Sequence, residues 1–483
     1  MKGFITVLAC AVGIYLVTFG GHYVSSDESH RIAWAKSLID CHCNDISRTF
    51  PGERYSIYGI GLSLLHLPMI MLARWIKTTT GLSTEGPLNM LLYVFNAAIG
   101  VALVYLILAR EHFSSRSAAL GAIAIGVTSS WFPYSKVEYA ESVVTTLLLG
   151  MFLLAGTHPW LAGLIGGFAI TVRTDALILV ALTGIVASPK KSWLPVALAA
   201  IPGIALTAAS NYARTRSVFD SGYEIDFSGQ MLAGLYGFLF SAGKSVFLFS
   251  PLMLLFPGAV LDLGKDPARR PLAVWALLLL GVQLLLYSKW WDWSGDDAWG
   301  PRFLIPATLG CLTAVAASNY LHSRWFAVLA AAGFLVQIPP VMLGPHSSLM
   351  AVHLRNPTKT DPYTSLRSPI TLDDMRFDPE FSQIIATFDM MVFKISRGKF
   401  ERASSFLSSF DPPLEPEDIP LDIVWFHLRR KEVVVTGQRD ESDSRALFRA
   451  QPGLPMRVNP CKDRDSSISL GEPLAQAGRA CDF

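Results

Sequence analysis

Long apolar stretches broken by short charged turns run from the N-terminus to Met342, and beyond it Pro, Ser and charged residues take over. A helix needs about 20 predominantly apolar residues to cross bilayer hydrocarbon. On that measure the pattern predicts about eleven transmembrane helices. They fall at 4–20, 87–109, 118–132, 143–156, 193–209, 246–263, 272–287, 303–317 and 325–342, with two more dividing 160–187 around Arg173. The fold class expected is therefore an all-α polytopic membrane protein over 1–343. An extramembrane segment follows over 344–483. In it, Phe381, Ile384, Ile385, Phe388, Met391, Val392 and Ile395 recur at helical spacing. A strand pair is expected around 423–428 and 432–436, which makes this segment a small α+β unit.

Positive charge in short loops collects on the cytoplasmic side of a membrane. The turns around Arg110 to Arg116, Lys190-Lys191, Lys265 to Arg270 and Arg324 all fall on one side under this scheme. The apolar run 57–76 would reverse everything downstream if it crossed, so it is read as a helix in the outer interface. The first run, after Lys2, is read as an uncleaved signal anchor because no small-x-small cleavage site follows it.

Composition agrees with this picture. The chain has 483 residues, 51% hydrophobic and 16% charged, whereas soluble domains are about a quarter charged. A net charge of +2 with no basic tract gives no reason to expect nucleic acid. The cysteines Cys41, Cys43, Cys461 and Cys481 all fall on the outer side, where disulfides form, with their pairing open. Cys41 and Cys43 with His30 match no common zinc spacing.

The candidate chemistry gathers on that same outer side. Asp27 and Glu28 follow the first span, at the start of a helical pattern that Ser26 or Asp27 could cap; the functional alternative is a carboxylate that takes a proton from an acceptor hydroxyl. Lys136, Glu138 and Glu141 share one turn, the two glutamates at helical spacing. Arg173 breaks an apolar run, where a cation needs a partner or water, and Asp175 is the nearest acid in sequence. The loop 287–306 interleaves Trp290, Trp291, Trp293 and Trp299 with Asp292, Asp296, Asp297 and Arg302. Aromatic faces beside carboxylates suit a sugar, which offers C–H faces and hydroxyl donors.

These segments resemble the GT-C superfamily, polytopic glycosyltransferases that use lipid-phosphate-linked sugars. The likeness rests on the Asp27-Glu28 pair with DESHRIAWAKSLI, on RYSIYGIGLSLLHLPMIML, and on YSKVEYAES. NYARTRSVFDSGY, GKSVFLFSP and WSGDDAWGPRFLIP are similar to a bacterial, unassigned branch. The resemblance implies an inverting, single-displacement transfer from a polyprenyl-phosphate sugar to a glycan, lipid or protein at the periplasmic face of a bacterial inner membrane. It implies Asp27 as base with Glu28 beside it, and a phosphate site drawn from Arg54, Lys136, Arg173 and Arg302. Sugar or acceptor contacts would come from Glu138, Glu141, Trp291, Asp292, Asp296 and Asp297. Some relatives carry an Asp-x-Asp metal pair where this chain has Glu138-x-x-Glu141, so no cofactor is assigned and a divalent metal stays open. A membrane transporter or flippase for a glycolipid is the alternative.

Overall fold

The computed structural model describes residues 2–21, 25–223, 226–295, 298–344 and 372–396. Among them the regular structure is helical. The helices are α1 (Lys2–Val17), α2 (Ser26–Asp40), α3 (Ile60–Thr80), α4 (Glu85–Arg110), α5 (Ser115–Thr128), α6 (Ala140–Leu154), α7 (Pro159–Val172) and α8 (Ala176–Ala187). They continue as α9 (Lys190–Thr215), α10 (Met231–Phe240), α11 (Val246–Phe249), α12 (Phe256–Gly264), α13 (Arg270–Ser288), α14 (Ile305–Ala316), α15 (Arg324–Leu343), α16 (Leu372–Phe377) and α17 (Gln383–Ser396). The chain is a multi-pass membrane protein. Among the described residues, five helices (α3, α4, α9, α13 and α15) are long and apolar enough to cross a bilayer.

One buried apolar core joins α1, α4 to α8 and α12 to α15, while large side chains such as Leu120, Leu194, Leu261 and Phe240 face outward. In water such outward leucines would be penalised; in lipid tails they are not. Small residues allow the closest crossing. A Cβ at Gly203 would stand 2.0 Å from the Gly167 carbonyl, and one at Gly163 2.3 Å from that of Val196, so α7 and α9 meet backbone to backbone. The GLIGGF stretch is thus a packing surface.

The polarity of the helices separates two ends. α1, α9, α13 and α15 each begin on or beside Lys or Arg (Lys2, Lys190, Arg270, Arg324) and finish at the end described below as the cavity end, while α4 runs the other way and finishes at Arg110. The basic end is tied by Arg269 to Glu111 at 3.4 Å and by the Asn319 amide to Asp262 at 2.8 Å. A cation at a helix N-terminus opposes the helix dipole, so local helix preference does not account for this arrangement.

Several expectations change. The run 246–263 is not one helix: Ser250 leaves helical geometry, Pro251 starts a 3-10 turn, and α12 restarts at Phe256-Pro257. Proline lacks the N–H that a continuous helix needs. The segment 216–245, read as loop, holds the apolar helix α10. The break at Arg173 divides α7 from α8 as the charge pattern suggested. Most of the run 57–76 lies in α3, which starts at Ile60 and continues to Thr80, with Leu62, Ser63, His66, Ile70 and Ala73 buried and Met71 and Trp75 exposed.

The stripe beyond Phe381 forms α17, but rotated from the expected face. Gln383, Ala386, Thr387, Met390 and Met391 are buried, while Ile385, Phe388 and Val392 are exposed. The rotation has a polar cause: Gln383 accepts from the Gly300 amide at 3.2 Å and donates to Ala298. Cys41 pairs with Cys43. Cys461, Cys481 and the expected strand pair lie outside the described residues.

Candidate active site

α2 is started by Ser25, not by Ser26 or Asp27. Ser25 Oγ accepts the Glu28 amide at 3.2 Å, and the Glu28 carboxylate accepts the Ser25 amide at 3.3 Å, a reciprocal capping box. Glu28 is fully buried in that role. Asp27 is released from capping and turns its carboxylate to the cavity. Its Oδ1 accepts the Tyr58 hydroxyl at 2.6 Å, and its Oδ2 lies 3.7 Å from Arg302 and 3.8 Å from Arg31. Burial alone would raise the Asp27 carboxyl, but Arg302, Arg31 and the Tyr58 bond outweigh it and hold the group below its ordinary range. Tyr58, raised by burial and by Asp27, keeps its proton and stays a donor.

The break between α7 and α8 presents Arg173. Its guanidinium grips Asp175 through two bonds of 3.0 and 3.1 Å, meets Glu141 at 2.5 Å and donates to the Tyr287 hydroxyl at 3.1 Å. Arg302 reaches the same Glu141 oxygen at 4.0 Å and lies over the rings of Tyr139 and Phe303. Acid and base therefore alternate without a break: Asp175, Arg173, Glu141, Arg302, Asp27, Arg31, Glu138, the last link being 3.3 Å. Desolvated charges persist only when paired in this way. Asp175, raised by burial but lowered further by Arg173 and Tyr287, stays below the usual carboxylate range.

Asp27, Arg31, Arg173, Asp175, Arg214 and Arg302 line a cavity of about 380 Å³. Arg214 donates to the carbonyls of Ser56 and Tyr58, bonds Asn211 at 2.8 Å and lies 4.8 Å over the Trp34 ring. It thus fixes the segment that carries Tyr58. The opposite wall is aromatic: Trp290 stacks on Tyr223 at 5.9 Å, with Phe227 edge-on at 5.5 Å.

Two solved structures are similar to this chain. They are crystal structures of ArnT from Cupriavidus metallidurans, one bound to undecaprenyl phosphate (TM-score 0.46) and one in the apo state (0.44). Each is 15% identical and covers 83% of this chain, and the matches span 73% and 75% of those chains. No protein-family model matches the chain, and no curated protein sequence matches it significantly.

Of the residues singled out from sequence, Asp27, Arg173 and Arg302 line the cavity, and Glu141 joins two of them from behind. Glu138 is buried behind Arg31. Lys136 is buried and does not line the cavity; its ammonium donates to the carbonyls of Thr18 and Val341, tying the ends of α1 and α15 together. Arg54 is exposed on the loop before α3. Trp291 is 45% exposed, and Asp292 is buried against Arg376 at 2.6 Å. Asp296 and Asp297 lie outside the described residues. Trp290, one of the tryptophans expected to suit a sugar, lines the cavity; sequence reasoning gave no role to Tyr58, Arg214 or Tyr287. RYSIYG and NYARTR were in view, but nothing in either says that one holds the other. Among the described residues no group of three His, Cys, Asp or Glu side chains stands ready for a metal ion.

Proposed function

We propose that this protein is a GT-C-type inverting glycosyltransferase that moves a sugar from a polyprenyl-phosphate carrier to an acceptor hydroxyl at the periplasmic face of a bacterial inner membrane, with about eleven helices crossing. One observation carries the reading: a depressed carboxylate, Asp27, stands in a cavity with Arg302 and Arg173 at the end of an apolar helical bundle opposite its basic end. In the proposed step the acceptor oxygen attacks the anomeric carbon as the carbon–oxygen bond to phosphate breaks. The acceptor proton passes to Asp27, and the polyprenyl phosphate leaves with the electron pair. Its growing negative charge meets guanidinium groups already fixed by neighbouring acids, and charge fixed before reaction is the strongest catalytic lever. The aromatic wall of Tyr223, Phe227 and Trp290 suits the C–H faces of a sugar. The outward orientation is supported by the Lys/Arg starts of α1, α9, α13 and α15 at the far end.

The test is sugar transfer by purified protein in detergent from a panel of polyprenyl-phosphate sugars, wild type against Asp27→Asn. Turnover in wild type and its near-complete loss in the variant is the expected result; equal turnover overturns the assignment. Orientation is checked separately by membrane-impermeant labelling of Ser221→Cys and of Ser117→Cys, which are expected to react from opposite sides of the membrane.

A further inference from the structure

Behind the cavity, Glu138 is fully buried and gathers donors from three elements. Arg31 lies 3.3 Å from Oε1, His66 Nε2 lies 3.0 Å from Oε2, and the Tyr93 hydroxyl also bonds the carboxylate. His66, buried as well, is gripped from its other side: Nδ1 stands 2.7 Å from Asn89 Oδ1, the Asn89 amide nitrogen being turned to the Glu85 carbonyl at 2.9 Å. The ring therefore bridges Asn89 and Glu138, and its Nε2 also stands 2.9 Å from the Tyr93 hydroxyl. The transfer step uses none of these groups. Yet Arg31, 3.8 Å from Asp27 on its other side, belongs to both neighbourhoods, and it lies 4.4 Å over the ring of Tyr58, the donor to Asp27.

We infer that Glu138 and His66 are positioning residues for Asp27, setting how Arg31 divides its charge between the two carboxylates. The inference rests on Asp27 being the base of the proposed transfer. The donors from His66 and Tyr93 relieve Glu138 of part of its need for Arg31, which leaves that guanidinium within reach of Asp27. Without them Glu138 would draw Arg31 inward. Without Glu138, Arg31 would belong to Asp27 alone. The other charged or titratable groups facing Asp27 and this node are Glu28 and His30 of α2, Tyr58, and Arg302 with Glu141 behind it. All of them remain in both variants below.

The experiment measures the pH profile of sugar transfer by the full-length protein, using the polyprenyl-phosphate sugar that the wild type turns over. Glu138→Gln removes a negative charge and frees Arg31, both favouring the ionised form of Asp27, so the acid limb moves about one pH unit lower. His66→Phe strengthens the pull of Glu138 on Arg31, so the limb moves higher. A purely structural role lowers the yield of folded protein and leaves both limbs in place, which overturns the inference while an inactive Asp27→Asn still upholds the transferase reading. If the wild type transfers no sugar from any donor, that reading falls, and the thermal midpoints of Asp27→Asn, Glu138→Gln and the double variant decide alone. Non-additive shifts uphold the coupling through Arg31, and additive shifts overturn it.

Discussion

Asp27, just past the first helix, and Arg302, in the 3-10 turn that leads into α14, meet at 3.7 Å across the mouth of the bundle. Neither has the other as its only partner: Asp27 also faces Arg31 and Tyr58, and Arg302 also faces Glu141. The pair is the link at which the two halves of the acid–base chain join. Arg302→Ala removes one of the cations that depress Asp27. The carboxyl then holds its proton to higher pH, so the acid limb of the transfer profile should rise as turnover falls. A pH series on the variant checks both effects, and an unmoved limb would detach Arg302 from Asp27.

Arg173 holds Glu141 and Asp175 together where two helices end. Removing one member of a buried ion pair costs about 3–5 kcal/mol. Arg173→Ala should therefore lower the thermal midpoint clearly, and Arg173→Lys should recover little, because an ammonium cannot reproduce the two-point grip on Asp175. Thermal unfolding in detergent of the two variants separates charge from geometry.

Gly59 starts α3 next to Tyr58. A Cβ there would stand 2.5 Å from the carbonyls of both Thr171 and Val172, so the backbone itself must give way. Gly59→Ala should push Tyr58 off Asp27 and reduce transfer well beyond its effect on folded yield. Gly13→Ala, in α1 with no atom near the new methyl group, should instead gain about 0.5–1 kcal/mol from the lower helix cost of alanine. Parallel transfer assays and melting curves test the contrast.

α16 and α17 are built into the loop that leads to Arg302. Arg376 bonds Asp292 at 2.6 Å and accepts the Gly243 amide through its carbonyl, while Gln383 holds Gly300 and Ala298. Arg376→Ala and Gln383→Ala should each lower transfer and the thermal midpoint. Exchanging the charges, Arg376→Asp with Asp292→Arg, should restore part of what either single change removes. Unchanged transfer in the single variants would show that the loop keeps its shape alone.

Asp27 and Asp175 both lie below the ordinary carboxyl range in the folded protein. The stability they contribute is then fully present above the unfolded value of about 3.9 and is lost as pH falls through the lower folded values. The thermal midpoint should drop below about pH 4, and Asp27→Asn should flatten that drop while leaving the curve near neutral pH little changed in slope.

Much of this is legible in the sequence. Apolar runs of span length, the Lys/Arg turns on one side, and the break that a lone Arg173 forces on a long apolar stretch are local signals, each with its own energetic cause. The start of α2 shows where the reading fell short: Ser26 or Asp27 was the expected cap, whereas Ser25 caps the helix with Glu28 three residues on, a capping-box spacing that is itself present in the sequence. α10 was missed because a short apolar helix between turns has no charge pattern to announce it. Arg214 and Tyr58 were missed because their roles exist only relative to each other.

The sequence by itself determined that the chain crosses a membrane many times and that its charges are confined to the breaks between apolar runs, because hydrocarbon rejects charge wherever it falls in the chain. Tertiary structure alone decided that Asp175, Arg173, Glu141, Arg302, Asp27, Arg31 and Glu138 stand in one alternating row, with Asp27 free to face the cavity and Glu28 turned inward. The reason is that an ion pair reports distance in space, and helices that run back and forth across a bilayer bring residues together in an order that spacing along the chain does not encode.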